Sequence, residues 1–334
     1  MNDMIKNGKI LITGGCGFIG NAITKNLLNR GFDVKIFDLP MQFELNPPHN
    51  DVEVFKGSIM DIDAVTNAIK GCDYVIHLAA LLGVKRTEEE RLSCLNLNIQ
   101  GTVNVLEACV RDNVKKILFS SSSEVYGDLK LSPINENTPK NPVSVYAVTK
   151  LAGEEYLKAY KQRYNLDYSV VRFFNVYGPG QVSQFVVPRF ILSVLKNEQP
   201  TIYFGGSQIR CFCYVDDAVE GAVLAMLSQK ANSDVFNIGN EKGYCSVIDL
   251  AKKIINLTGK DMEPIMAQPD LSDRTEYREI FERIPDISKA KSILGYNPKI
   301  SLDKGLGMTI KHGKFSTDWT KPTSRDKQEI LVFN

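Results

Sequence analysis

The chain has 334 residues, 43% of them hydrophobic, enough to bury a sizeable core in one large domain or two closely joined ones. Forty basic side chains against thirty-nine acidic ones give a formal net charge of +1, so no global field points to nucleic acid or an anionic membrane surface. The polar start Met1–Gly8 carries no apolar export segment and no later apolar run is long enough to span a bilayer, which predicts a cytoplasmic protein. Seven cysteines, at 16, 72, 94, 109, 211, 213 and 245, fit reduced thiols in such a compartment. No His or Cys cluster completes a tetrahedral site, and no metal is expected.

Along the chain, short β-rich runs alternate with helical stretches, the pattern of a parallel sheet covered on both faces. Strands are predicted at Lys9–Thr13, Asp33–Asp38, Val52–Phe55, Tyr74–His77, Lys116–Ser120 and Tyr168–Arg172. Helical spacing marks Asn21–Asn29 and two longer runs, Glu88–Val110 and Tyr146–Tyr164. After Gly178-Pro179-Gly180 the alternation weakens, interrupted by Pro188, Pro200, Gly205-Gly206, Pro264, Pro269, Pro285 and Pro298. The fold class read from this is α/β: a Rossmann-type doubly wound parallel sheet over residues 1–175, with a smaller irregular α/β substrate-binding lobe over 176–314. Segments of the two are free to interleave, since no linker or low-complexity tract separates them. A polar tail, 315–334, ends in Ile330-Leu331-Val332-Phe333.

Two signals carry the chemistry. The first is Thr13-Gly14-Gly15-Cys16-Gly17-Phe18-Ile19-Gly20, which follows the first strand and opens a helix. Gly14 allows the tight turn, Gly17 lets backbone approach a pyrophosphate, and Gly20 lets helix pack on strand, so a diphosphate meets the helix N-terminus. Asp38 ends the next strand, near the spacing expected of a carboxylate that accepts from the adenosine ribose hydroxyls. It would repel a 2'-phosphate, which favours NAD over NADP.

The second signal is Tyr146-Ala147-Val148-Thr149-Lys150. A tyrosine with a pKa of about 10 is a poor base at neutral pH unless a cation stabilises its phenolate. Lys150, one helical turn on, supplies that cation on the same face, and the positive ring of oxidised NAD adds to it. Alone, such a pair is commonly an ordinary surface pair; behind a dinucleotide turn it reads as catalytic. Phe119-Ser120-Ser121-Ser122-Ser123-Glu124-Val125-Tyr126-Gly127 ends the fifth strand, where ligands bind in open α/β sheets. Four serines exceed what catalysis needs, so one is expected to bond a reacting hydroxyl while the others satisfy local backbone groups. Glu124, beside them, is a candidate general base on carbon.

With these motifs, and with His77-Leu78-Ala79-Ala80, Asn98-Ile99-Gln100-Gly101-Thr102, Arg172-Phe173-Phe174-Asn175-Val176-Tyr177-Gly178-Pro179 and Arg210-x-Phe212-x-Tyr214-Val215-Asp216-Asp217, nearly the whole chain resembles an extended short-chain dehydrogenase/reductase of the NAD-dependent nucleotide-sugar epimerase/dehydratase family. The resemblance implies a tightly held NAD, bound by Gly14, Gly17, Phe18, Ile19, Gly20, Asp38, Leu78, Ala79, Tyr146 and Lys150. It implies that Tyr146 takes the proton of the sugar O4, that Ser122 holds that oxygen, and that oxidation at C4 gives a 4-keto sugar. Asn175 and Arg210 match positions that hold the diphosphate, as guanidinium geometry suits. Arg274, in Ser272-Asp273-Arg274, is a further substrate-binding candidate, as is Ser123. Val187–Phe190 and Thr201–Phe204 resemble segments that cradle the base.

The resemblance leaves the step after C4 oxidation open. A simple 4-epimerase needs no carboxylate at 124, so Glu124 points to a C5 step. In dTDP-glucose 4,6-dehydratases an Asp stands where this chain has Ser123. Ser-Ser-Glu is nearer the Thr-Ser-Glu of UDP-glucuronate decarboxylases and GDP-mannose 4,6-dehydratases. Glu-Val-Tyr-Gly-Asp, Cys213-Tyr-Val-Asp-Asp and Pro285-Asp286-Ile287-Ser288-Lys289-Ala290 lean toward the decarboxylases, in which the 4-ketone is the electron sink for loss of the carboxylate. Lys85 or Arg86 is a candidate for facing a sugar carboxylate. The substrate expected is a nucleotide-diphosphate sugar, UDP-linked before GDP-linked. The alternatives are a UDP-sugar 4-epimerase, a C4 dehydrogenase that releases the keto sugar, and a dinucleotide-binding redox sensor; the retained Tyr146, Lys150 and Ser122 argue against the last. The two long helices resemble those of a four-helix dimer interface, which predicts a homodimer.

Overall fold

Lys9–Thr13 (β1) is buried over its last four residues, as a strand must be when helices cover both faces of its sheet. The computed structural model, which describes residues 3–128, 132–267 and 280–312, continues with Phe18–Asn29 (α1), Asp33–Asp38 (β2), Pro40–Leu45 (α2), Glu53–Lys56 (β3), Ile62–Ile69 (α3) and Tyr74–His77 (β4). Val84–Glu89 (α4), Arg91–Arg111 (α5), Lys116–Ser122 (β5), Val145–Tyr164 (α6) and Asp167–Phe173 (β6) follow. Seven parallel strands form one sheet, ordered β3-β2-β1-β4-β5-β6 and then Asp234–Ile238 (β11). This is the doubly wound α/β architecture, with its switch point between β1 and β4. α3, α5 and α6 cover one face; α1 and Val215–Leu227 (α8) cover the other.

The second half builds the remaining elements around that sheet. Val176–Tyr177 (β7) pairs with Cys213–Tyr214 (β10), and Thr201–Ile202 (β8) with Ile265–Met266 (β13). Ile209–Cys211 (β9) lies between Tyr244–Ser246 (β12) and Glu282–Arg283 (β14). Val186–Leu195 (α7), Val247–Thr258 (α9), Ser288–Leu294 (α10) and Leu302–His312 (α11) complete it. Among the described residues no helix is long and apolar enough to cross a membrane. All seven cysteines are free and buried. The tail 315–334 lies outside the described residues.

Three differences from the sequence reading have physical causes. The helix expected over Glu88–Val110 breaks at Glu90 (φ −109°, ψ 49°), giving α4 and α5. β5 extends to Ser122 because its register with β6 continues through Ser120↔Val171, Ser121↔Arg172 and Ser122↔Phe173, so three of the four serines are strand residues. β11 was not anticipated: Asp-Val-Phe-Asn-Ile is short, and the stretch around it lacks regular alternation. It returns the second half of the chain to the main sheet, and α8 comes with it. Lys116 Nζ, 2.9 Å from Ala225 O and 2.8 Å from Ser228 O, caps the C-terminal end of α8, and its burial pushes its pKa down to about 7.

A buried polar network ties the sheet to α6. Arg172 on β6 makes a two-pronged pair with Glu154 on α6 (Nε–Oε1 2.9 Å, Nη2–Oε2 2.5 Å), both side chains 3% exposed or less. Ser121 Oγ donates to the same carboxylate at 2.5 Å, and Arg172 Nη1 donates to Tyr126 Oη at 2.7 Å. Tyr126 in turn donates to Asn237 Oδ1 on β11 at 2.7 Å, and Asn237 Nδ2 donates to Ile134 O at 2.9 Å. Removing one partner of a fully buried pair strands the other charge. Glu154→Ala is therefore expected to lower the unfolding free energy by about 3–5 kcal/mol, read from the denaturant midpoint; a midpoint equal to wild type would show that the pair bears no such load.

Candidate active site

The cleft opens beyond the carboxyl ends of β1, β4, β5 and β6, where the strand order reverses, and has a volume of about 460 Å3. At one end lies the glycine turn. Gly14 sits at φ +72°, and a Cβ there would lie 2.8 Å from Ala79 N; one on Gly20 would lie 2.2 Å from Gly14 O. Only glycine fits either position. A Cβ on Gly17 would meet nothing but Gly14 O at 3.1 Å, so the cradle in front of it is open on the cleft side. α1 starts there without a side-chain cap or an acidic residue in its first turn, leaving its leading N–H groups for an anion.

Asp38 Oδ2 accepts from Cys16 N at 3.0 Å and Oδ1 from Leu39 N at 2.8 Å. The carboxylate thus clamps the glycine turn, and burial raises its pKa to about 6 against the pull of those two N–H groups. Cys16 is 1% exposed, and burial followed by the nearby Asp38 pushes its thiol up to about 12. Behind the turn His77 bridges Thr13 Oγ1 (2.7 Å) and Thr102 Oγ1 (3.1 Å), and burial keeps it neutral, with a pKa of about 3. The open cradle, the uncapped helix start and the clamped carboxylate together fit a dinucleotide.

In mid-cleft, β5 delivers the serines and the start of α6 delivers Tyr146. Ser122 Oγ caps the short turn that follows, accepting from Glu124 N at 3.2 Å. Glu124 Oε2 accepts from Ser144 Oγ at 2.9 Å, and Ser144 is itself the N-cap of α6, accepting from Ala147 N at 3.1 Å. Glu124 and Tyr146 are thereby fixed to one another. Lys150, 3% exposed, holds Nζ 5.5 Å from the Tyr146 ring centroid and 4.9 Å from that of Phe119. Burial lowers its pKa to about 8, and burial, then Glu124, raises that of Tyr146. Lys150's charge is what can bring the phenol back toward ionisation.

The structure gathers Gly14, Gly17, Phe18, Ile19, Gly20, Leu78, Ser122, Ser123, Glu124, Tyr146, Asn175 and Arg210 on this one cleft. Lys150 stands behind Tyr146, and Asp38 and Ala79 behind the turn, none of them on the cleft wall. Asn175, at φ 35°, donates its amide to Cys211 O at 3.2 Å and so ties the end of β6 to β9. Arg274 lies outside the described residues. Lys85 and Arg86 do not reach the cleft: they pair with Glu89 (3.9 Å) and Glu90 (3.2 Å) on their own helix side, while Val84 and Thr87 line the wall.

Gln181, Gln184, Gln208 and Arg283 line the cleft without a sequence signal strong enough to single them out, whereas Arg189 and Phe204 fall in the two segments expected to cradle the base. Arg283, 3% exposed, donates from Nη1 to Ser123 Oγ at 3.3 Å across 160 residues of chain. Its nearest hint is its place two residues before Pro285. Phe204 takes φ 53°, ahead of Gly205 and Gly206 at +71° and +73°. For an aromatic residue that conformation costs on the order of 1–3 kcal/mol, the kind of strain found at ligand sites.

Residues 10–239 match the NAD dependent epimerase/dehydratase family. The chain belongs to that family. It is an enzyme, and NAD is its cofactor. Over 319 residues, 91% of this chain and 97% of the relative, it is 34% identical to the UDP-N-acetyl-alpha-D-glucosaminuronate decarboxylase of Bacillus cytotoxicus. Among solved structures it is similar to UDP-glucose 4-epimerase of Thermotoga maritima, crystallised with UDP-glucose (TM-score 0.85, 34% identity, 91% and 98% of the two chains). It is also similar to UDP-glucuronic acid 4-epimerase of Bacillus cereus in complex with UDP-glucuronic acid and NAD (TM-score 0.83, 30% identity, 91% and 98%). Decarboxylases and 4-epimerases thus stand equally near this member of the family.

Replacing the base tests the mid-cleft geometry. Tyr146→Phe is expected to retain NAD through purification, read by absorbance after denaturation, and to lose C4 oxidation by about 10²-fold or more. Lys150→Met removes the cation, so activity at pH 7 falls by a similar factor and recovers only above pH 10, because burial and Glu124 hold the phenol above its ordinary value; an unchanged pH profile would dismiss Lys150 as the source of the effect.

Proposed function

We propose that the chain oxidises a UDP-linked sugar acid at C4 and then removes its C5 carboxylate. The observation that carries this reading is Arg283: a buried guanidinium on the cleft wall, bonded to Ser123 beside Glu124. Its planar fork suits a carboxylate. Similarity to a decarboxylase acting on a UDP-sugar acid supports the same substrate class.

NAD would be held by the glycine turn and the start of α1 and would supply a reversible hydride acceptor. The chain's own residues do the rest. Tyr146, its ionisation favoured by Lys150, takes the O4 proton, while Ser122 hydrogen-bonds that oxygen and steadies it. The resulting 4-ketone is the electron sink: the C5–carboxylate bond breaks, carbon dioxide leaves, and the electron pair is held as an enolate. Arg283 fixes the carboxylate before it leaves, Glu124 is placed to return a proton to C5, and Tyr146 gives its proton back to O4 as C4 recovers the hydride, so that carbon dioxide is the only net loss. Arg210, near Asn175, serves the diphosphate.

A second reading, UDP-sugar 4-epimerase, is favoured by a specific contact. Glu124 already accepts from Ser144 Oγ, the cap of α6, so its carboxylate has a structural task that needs no C5 chemistry. Mass spectrometry of products from UDP-glucuronate, UDP-N-acetylglucosaminuronate and UDP-glucose separates the two. Loss of 44 mass units, the mass of carbon dioxide, from an acid is the expected outcome; unchanged mass with altered sugar configuration by NMR would replace decarboxylation with epimerisation.

We also propose a twofold dimer through α5 and α6, whose outer surfaces leave Leu92, Val148, Tyr156 and Tyr164 at 76%, 43%, 38% and 49% exposure. Large apolar side chains left open on neighbouring helices mark a covered face. Light scattering on the purified protein is expected to give twice 37.3 kDa, and Val148→Glu to shift it to the monomer; a wild-type monomer would remove the proposal.

A further inference from the structure

The turn that carries Glu124 and the chain leading into α6 are laid directly against each other. Asn141 N donates to Val125 O at 3.0 Å. Gly127, which follows the short turn Ser123–Tyr126 at φ +66°, abuts the same asparagine: a Cβ there would lie 1.8 Å from Asn141 O. Only glycine fits that position, so backbone meets backbone. Ser144 comes three residues after Asn141, and its hydroxyl completes the junction. It accepts from Ala147 N at 3.1 Å and donates to Glu124 Oε2 at 2.9 Å.

A hydroxyl has a single hydrogen to give. With Ala147 N–H on one lone pair, Ser144 turns that hydrogen to the Glu124 carboxylate, and a hydrogen bond to an ionised group is about twice as strong as a neutral one. The backbone of Glu124 is held separately, its N–H donating to Ser122 Oγ at 3.2 Å. Two serines thus hold the two ends of a side chain whose rotamer freedom is costly to remove. Glu124 lines the cleft and Ser144 does not, so the serine acts on the carboxylate and not on a ligand. Its bond also distinguishes the two oxygens. In the protonated acid, Oε2, which accepts from Ser144, is the carbonyl oxygen, and the transferable hydrogen sits on Oε1.

We propose that Ser144 is the positioning residue for the acid that serves C5, fixing the face of the sugar at which the proton arrives. The inference rests on the reading of a C5 decarboxylation, and adds to it the group that aims the acid. Loss of carbon dioxide leaves the electron pair in the enolate. The Oε1–H bond of Glu124 then breaks, a C5–H bond forms with that pair, and the 4-ketone returns. Glu124 is left as a carboxylate, still accepting from Ser144, and takes a proton from solvent before the next turnover.

Turnover of UDP-glucuronate and UDP-N-acetylglucosaminuronate by the NAD-loaded enzyme in heavy water, with NMR of the product, tests this. C5 of the product carries two hydrogens, one of them new. Wild type is expected to place deuterium at one of the two positions only. Ser144→Gly costs the helix start little but removes the hydroxyl, and Ser144→Asp retains a good cap while having no hydrogen to give. Both are expected to lose the selectivity and spread deuterium over both positions, and Ser144→Thr, which keeps the hydroxyl, to restore it. A serine that only caps α6 predicts the opposite for Ser144→Asp. Wild-type selectivity in that variant therefore overturns the inference while leaving decarboxylation intact. Deuterium at both positions in wild type overturns it as well and needs no variant, so misfolding of a substituted protein does not shield the claim. Release of no carbon dioxide from either sugar acid by wild type overturns the decarboxylation reading and this inference with it, an outcome told apart by the absence of any decarboxylated product.

Discussion

The arrangement of the cleft depends on one buried ion pair, Glu154 with Arg172. Taking two charges out of water costs several kcal/mol each, and the return depends on good geometry and on additional hydrogen bonds. Here those bonds come from Ser121 and Tyr126, which are neighbours in sequence of the residues that face the substrate. Glu154 lies one turn beyond Lys150 on α6, and Arg172 lies opposite Ser121 in the sheet. The pair thus holds helix and strand end in a single register. A slip of α6 along β5 would break three hydrogen bonds to the Glu154 carboxylate before it moved Tyr146 appreciably.

Around that anchor the site is built of groups that restrain one another. Glu124 caps the cap of α6, Ser122 caps the turn carrying Glu124, and Arg283 reaches Ser123 from the far part of the chain. Burial moves the acid–base groups in directions that oppose ionisation: Tyr146 is raised and Lys150 lowered. Each therefore depends on the other's charge, and on a bound cationic ring, to reach its working state. In the empty cleft, burial and Glu124 keep the Tyr146 phenol protonated.

Much of this was legible in the sequence because it is local. The glycine turn, the apolar β1, β2 and β4, and the four-residue spacing of Tyr146 and Lys150 are short-range patterns, and each appears where expected. What escaped was what depends on distant pairing. β11 is a strand only because β6 offers it a free edge. Arg283 is one arginine among many until folding sets it against Ser123. Asp38 was expected to face a ribose, and the structure adds a second task, clamping Cys16 N, that no spacing reveals. The break at Glu90 was hidden for a related reason: the apolar rhythm of residues 88–110 continues across it while the backbone does not.

The placement of Cys16 bears on how the enzyme withstands its environment. A thiol inside a phosphate-binding turn, beside a helix N-terminus, is ordinarily the kind that ionises and reacts. Here the side chain points into the core and stands next to a carboxylate, so the thiolate is scarce at any physiological pH. Peroxide and electrophiles act on thiolates, and they find none at the one point where a bulky adduct would shut out the dinucleotide. The turn's own cysteine is thereby held in the form least prone to take up an adduct, even though it occupies the centre of the turn.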